Sequence, residues 1–152
     1  MTVHYSPDEI EIDAPTRAAR LKWVIVVNEE LAPGLATNAA VCVAAATAAR
    51  VDGLLGPDGS DADGNAYPGL PWAGCTILKA SAEQLSALRA KAAASEEAFV
   101  SGMPSSAQTT RVYSEYLGAL GASAPDEIEH YAVSVIGPRN RVDRLVGRLS
   151  LL

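Results

Sequence analysis

Three stretches of this chain carry the side chains most suited to holding a ligand. They are Asn28-Glu29-Glu30, the pair Thr37-Asn38, and the loop running from Ser101 through Ser105 and Ser106 to Gln108. Hydroxyls and amides beside the free N–H groups of a helix start suit an anion, a carbonyl or a small polar molecule. The same residue types also serve as helix caps and turn formers, so each has a purely structural reading beside the functional one. Asn28, Glu30, Thr37, Asn38, Ser101 and Gln108 are the ligand-binding candidates.

Other chemistry is poorly supplied. No GxxxxGK[ST] run occurs, no GxGxxG follows a strand, and no GxSxG elbow exists, which argues against the common nucleotide sites and the triad hydrolases. Two histidines (His4, His130) and two cysteines (Cys42, Cys75) are too few and too scattered for a metal cluster or a disulfide framework. Cys42, inside an apolar helix, reads as a small buried hydrophobe, and Cys75 and His130 read as structural residues at strand starts. Asp58, Asp61, Asp63 and Asn65 alternate as calcium ligands do, but the glutamate that closes such a loop is missing, and a solvated turn is expected. No metal and no cofactor is expected.

The elements that must position these residues follow from the patterning. Trp23-Val24-Ile25-Val26-Val27 is a continuous apolar run, as in a strand covered on both faces. Pro33-Gly34 turns the chain into an alanine-rich helix from Leu35 to Arg50 that contains no charge before Arg50. Little of that helix is expected to face water, and a second subunit is one way to cover it. Asp63-Gly64-Asn65 predicts a hairpin turn. A second core strand spans Gly74–Lys79, and Ser81 with Gln84 forms a capping box for a helix to about Ala94. A short strand at Ala98–Val100 precedes the hydroxyl loop. Val112, Tyr113, Tyr116, Leu117 and Leu120 then recur at helical spacing, and Gly121 closes that helix. The last strand is Tyr131–Ile136, followed by a helix bearing the chain's one basic cluster, Arg139, Arg141, Arg144 and Arg148. Residues 1–20 form a polar arm, with an edge strand at Glu9–Ile12, and residues 21–152 a single domain. Alternating strands and helices predict a three-layer α/β fold with largely parallel strands.

Composition bounds the partners. The 152 residues are 49% hydrophobic and 20% charged, with a net charge of −6. That balance fits a globular domain and weighs against a broad nucleic-acid surface, which needs clustered Lys and Arg. No N-terminal leader pattern and no apolar run of membrane-spanning length appears, so a cytoplasmic location away from membranes is expected.

The segment Lys22 to Leu31, then Gly34 and Ala39-Ala40-Val41-Cys42, resembles the opening of type II peptidyl-tRNA hydrolases. Ile136-Gly137-Pro138 and the run Val142 to Leu152 resemble that family's close. LAPGLATNAA, DADGNAYPG, ILKAS and GPRNRVDRLVGRLSLL are similar, more closely, to the bacterial family called domain of unknown function 2000, placed beside those hydrolases by fold. The resemblance implies an α/β/α sandwich with a mixed, mostly parallel sheet of about four core strands, often a homodimer. The hydrolases' Gly-Lys-Gly-Lys run is Gly34-Leu35-Ala36-Thr37 here, and their Gln-Cys-Ser-His is Val41-Cys42-Val43-Ala44. The expectation is therefore a non-canonical member that binds a small polar ligand or a partner. The alternative is a hydrolase of peptidyl-tRNA or other acyl or aminoacyl esters, with Lys22, Ser105 or Thr109 contributing to catalysis.

Overall fold

The β-branched run around Trp23–Val27 forms the middle of β1 (Leu21–Asn28), buried at every position except the partly exposed Lys22. In this computed structural model, which describes residues 3–152, β1 lies at the centre of a five-stranded sheet. On one side β1 pairs in parallel with β4 (Thr76–Ala80), and on the other in antiparallel fashion with β6 (His130–Pro138). β5 (Phe99–Pro104) pairs with the far side of β6, and β7 (Ser150–Leu151) pairs with β4, both antiparallel. The order is β5-β6-β1-β4-β7.

The fold is thus α/β with a mixed sheet, but the expectation of a mostly parallel sheet of about four strands is corrected. Only β1 and β4 are parallel neighbours. The reason is the path of the chain after β4. Helix α2 (Ala82–Ala93) carries it across the sheet to the far edge, and β6 returns antiparallel into the gap between β5 and β1.

Alternation along β1 sends Trp23, Ile25 and Val27 to one face and Val24 and Val26 to the other. The first set joins the core under α1 (Pro33–Ala48), with Ala36, Ala39 and Val43. The second joins Leu85 and Leu88 of α2 and Val142 and Val146 of α5 (Arg139–Val146). Helices therefore cover both faces. The capping box of α2 forms as expected: Ser81 Oγ accepts from the Gln84 amide, and Gln84 Oε1 accepts from the Ser81 amide.

Three further expectations are corrected. Within this chain α1 buries one stripe, Ala36, Ala39, Val43 and Thr47, and Val41 on its outer side is 60% exposed. Alanine keeps the segment helical by propensity, without burial on every side. Cys42 is accordingly exposed, not a core residue. Glu9–Ile12 is not a strand; Pro7–Glu9 is a 3₁₀ turn closed by Glu9 and Ser6.

The N-terminal arm is also less detached than its polarity suggests. Tyr5 is 3% exposed, and its hydroxyl donates to the Leu21 carbonyl at 3.0 Å. Its amide donates to Asp52 O at 2.9 Å, where the chain passes so close that a Cβ on Gly53 would lie 2.6 Å from Tyr5 O. Gly53 has φ +75°, a conformation that disfavours any side chain. Between α1 and β4, β2 (Gly59–Ser60) and β3 (Ala66–Tyr67) form the hairpin expected around Gly64. Among the described residues, no helix is long and apolar enough to cross a membrane.

Candidate ligand-binding cleft

After β5 the chain makes one helical turn, α3 (Ser106–Thr109), and then α4 (Tyr113–Gly121). α4 buries none of its residues, so its apolar spacing, read from sequence as a packing stripe, does not reach the core. Val112, Tyr113 and Leu117 remain half or more exposed. The physical reason is its attachment: α4 packs chiefly against α3. What it encloses instead is a cleft of about 860 Å³ between itself, α1 and the middle of β5.

The wall from α1 carries Asn38, Cys42 and Val43, and the floor carries Ser101, Gly102 and Met103 of β5. The third wall carries Gln108, Arg111, Tyr113 and Tyr116. The two tyrosine rings meet edge to face with centroids 5.4 Å apart, a favourable quadrupole arrangement. Burial pushes the Tyr116 phenol up from its ordinary value, with Tyr113 adding to the effect, so it stays a proton donor at neutral pH. Arg111 makes no ion pair or hydrogen bond with any described residue.

Beside the floor, on β6 under α1, lies a buried polar group of side chains. Ser101 of β5 is in register with Ser134 of β6. The Ser134 hydroxyl accepts from the Trp23 indole N–H at 2.7 Å and lies 2.7 Å from the Thr47 hydroxyl of α1. These partners satisfy polar groups that would otherwise destabilise the core, and they fix α1 against β1 and β6 at the level of the cleft.

The structure gathers some of the sequence candidates and disperses the rest. Asn38, Ser101 and Gln108 line the cleft together. Asn28 does not: it is buried, its Nδ2 donates to His130 O at 3.4 Å, and its Oδ1 accepts from the Glu30 amide at 3.0 Å. Glu30 and Thr37 are exposed and lie outside the cleft, and Thr37 Oγ1 donates to Pro33 O within its own helix. These three behave as turn and helix residues. Ser105 and Thr109 stand on the turn behind the cleft wall, outside its lining, and the Ser105 amide donates to Glu129 O.

Lys22 is at the other end of the sheet. It faces Gly137 on β6, whereas Pro104, next to Ser105, faces His130. The strand between those two positions spans roughly 23 Å at ~3.3 Å per residue. Lys22 Nζ bonds Asp143 of α5 at 2.5 Å. It therefore cannot share a reacting centre with Ser105 or Thr109. His130 is 5% exposed with its Nδ1 lacking a partner, and burial lowers its pKa, Arg89 adding to this; no serine reaches that nitrogen.

Arg111 was not singled out from sequence, Cys42 was read as a core residue, and Tyr113 and Tyr116 as part of a helix stripe. Arg111 offered one signal: a lone cation between a hydroxyl loop and an aromatic helix, with no acidic residue at helical pairing distance before it.

A family model described as a protein of unknown function (DUF2000) matches residues 21–152. Among solved structures, a protein of unknown function from Agrobacterium tumefaciens strain C58 is similar, with a TM-score of 0.77 and 15% identity. The match covers 88% of this chain and 98% of that one; at such identity it shows a shared fold. No curated protein matches the chain.

Proposed function

Since the chain belongs to the DUF2000 family of proteins of unknown function, its activity has to be argued from its own site, and we propose that the cleft under α4 binds a small aromatic carboxylate. The observation that carries this reading is Arg111, a guanidinium without an ion-pair or hydrogen-bond partner among the described residues, beside the Tyr113–Tyr116 pair. A guanidinium offers the planar donor fork that a carboxylate accepts. Tyrosine faces favour a flat apolar body, and Asn38, Ser101 and Gln108 supply neutral hydrogen-bonding groups around it.

The test is a titration followed by amide NMR with benzoate and indole-3-acetate, and with benzamide as the uncharged control. Saturable shifts at Ser101 and Gln108, weakened roughly tenfold by Arg111→Gln, are expected. Equal responses to benzoate and benzamide would refute the reading. The ester-hydrolase alternative is tested by incubation with peptidyl-tRNA and simple aminoacyl esters. Turnover abolished by Ser105→Ala would displace a binding-only role.

We also read the scaffold as akin to that of the type II peptidyl-tRNA hydrolases, on the opening and closing segments that resemble them, and the chain as a cytoplasmic homodimer. What supports self-association is the outer side of α1, where Val41 stands 60% exposed on a helix without charged residues. Sedimentation of the protein and its Val41→Glu variant checks this, with a monomer expected for the variant.

A further inference from the structure

A second concavity, of about 280 Å³, opens at the opposite end of β1 from the hydroxyl loop. Its lining brings together Arg17, Lys22 and Arg139, with the hydroxyl-bearing Thr16 and Thr76. Three cations converging in one hollow is unexpected in a chain whose net charge is −6. Their mutual repulsion raises the free energy of the empty hollow. Among the described residues one carboxylate pairs with these cations: Asp143 holds Lys22 at 2.5 Å. Arg139 is fixed in place by the backbone, its Nε donating to Ala19 O at 3.3 Å and one terminal nitrogen to Thr16 O at 3.4 Å. Neither acceptor removes its charge. Arg17 has no ion-pair partner among the described residues.

A second feature points the same way. Arg139 is the first residue of α5, whose N-terminus has no side-chain cap and no acidic residue in its first turn. The first amide of the helix, that of Arg139, donates to Arg20 O at 3.2 Å, and the positive end of the helix dipole still favours an anion beside it.

We propose that this hollow binds the dianionic phosphate of a small phosphomonoester. Three cations less one carboxylate leave two positive charges, which match a dianion better than a carboxylate or a phosphodiester. Arg17 provides a planar donor fork, Arg139 the terminal N–H groups that Ala19 O and Thr16 O leave unused, and Lys22 a point charge, and the threonine hydroxyls can complete the shell of the phosphate oxygens. The site is separate from the cleft under α4 and does not depend on the reading of that cleft.

The experiment is calorimetric titration of the full chain with inorganic phosphate and phenyl phosphate, with dimethyl phosphate and acetate as monoanionic controls. Each variant is first checked for an unchanged circular dichroism spectrum and melting temperature. Saturable binding of the two dianions is expected, weakened roughly tenfold or more by Arg17→Ala. Asp143→Asn removes the one compensating charge and is expected to tighten binding several-fold, a gain that a purely structural Asp143 would not give. Arg139→Lys keeps charge but loses the remaining guanidinium donors, and it weakens phosphate binding. No saturable binding by the wild type, equal affinity for dimethyl phosphate, or indifference to both Arg17→Ala and Asp143→Asn would overturn the proposal.

Discussion

The hydroxyls of Ser134 and Thr47 lie 2.7 Å apart, and their other partners fix which of them donates. Thr47 already donates its one proton to the Val43 carbonyl at 2.7 Å, and the Ser134 oxygen accepts the Trp23 N–H at 2.7 Å. The Ser134 proton must therefore point at Thr47. A single directed relay runs from β1 through β6 into α1, with each hydroxyl both giving and receiving.

Removing the middle of that relay orphans a buried indole N–H. Ser134→Ala is expected to cost about 1–3 kcal/mol, read from urea denaturation. The penalty should shrink in a Trp23→Phe background, because the orphaned donor is gone. Equal penalties in the two backgrounds would show that the Trp23–Ser134 bond carries none of the effect.

The two cysteines should separate cleanly in reactivity. Burial pushes the Cys75 thiol up to about 12, so almost none of it is thiolate near neutral pH. Cys42 is exposed and lines the cleft. Iodoacetamide at about pH 8 should add one adduct, at Cys42, because the thiolate is the nucleophile. Peptide mass mapping checks the position. Benzoate that occupies the cleft should slow the reaction, and comparable labelling of Cys75 would contradict its burial.

Docking of the N-terminal arm depends on the missing side chain at position 53. Gly53→Ala brings a Cβ to 2.6 Å from Tyr5 O at a φ of +75°. The conformation alone costs ~1–2 kcal/mol, and displacing Tyr5 adds to it. Gly64→Ala is the control, since Gly64 also has positive φ but has nothing within 4 Å of its would-be Cβ. Limited proteolysis before Leu21 should accelerate in the first variant and not in the second.

Acid should weaken the fold in two separable stages. Burial and then Arg89 hold the His130 pKa below its ordinary 6.5, so the unfolded chain binds that proton more readily. The stability this gives is present above about pH 6.5 and falls as pH drops below it. The Arg20 hydrogen bond, with help from Ser6, holds Glu9 at about 2 against an ordinary 4.5. Its contribution is present above about pH 4.5 and is lost toward pH 2, and it is small because the pair is exposed. Melting temperature against pH should show both declines. His130→Asn should remove the upper stage and Glu9→Gln the lower.

Much of the architecture was legible because it is written in local patterns. The unbroken Trp23–Val27 run, the Ser81–Gln84 box and the Gly64 turn each have a short-range physical cause. Strand direction was not legible, because the position of β6 between β5 and β1 is settled by long-range pairing that no local pattern records. Which side of α1 packs within the chain was not legible for a related reason: alanine is compatible with both a core and a surface, so its presence does not say which. Half of the six ligand-binding candidates reached the cleft. Asn38, Ser101 and Gln108 stand where α1, β5 and the end of α3 face one another, whereas Asn28, Glu30 and Thr37 complete the turn into α1. Arg111 escaped notice because a single cation has no pattern, and only the fold shows that no described carboxylate pairs with it.

The late position of β6 in the chain also sets an order of assembly. β1, α1 and β4 form a contiguous parallel unit that can close early on the ribosome. β5 hydrogen-bonds to the sheet through β6 alone, so it must wait, already synthesised, until residues 130–138 emerge. Because β5 is the floor of the cleft, the binding surface cannot be complete before β6 is in place. A nascent chain paused before β6 would hold a partly built sheet with no cleft.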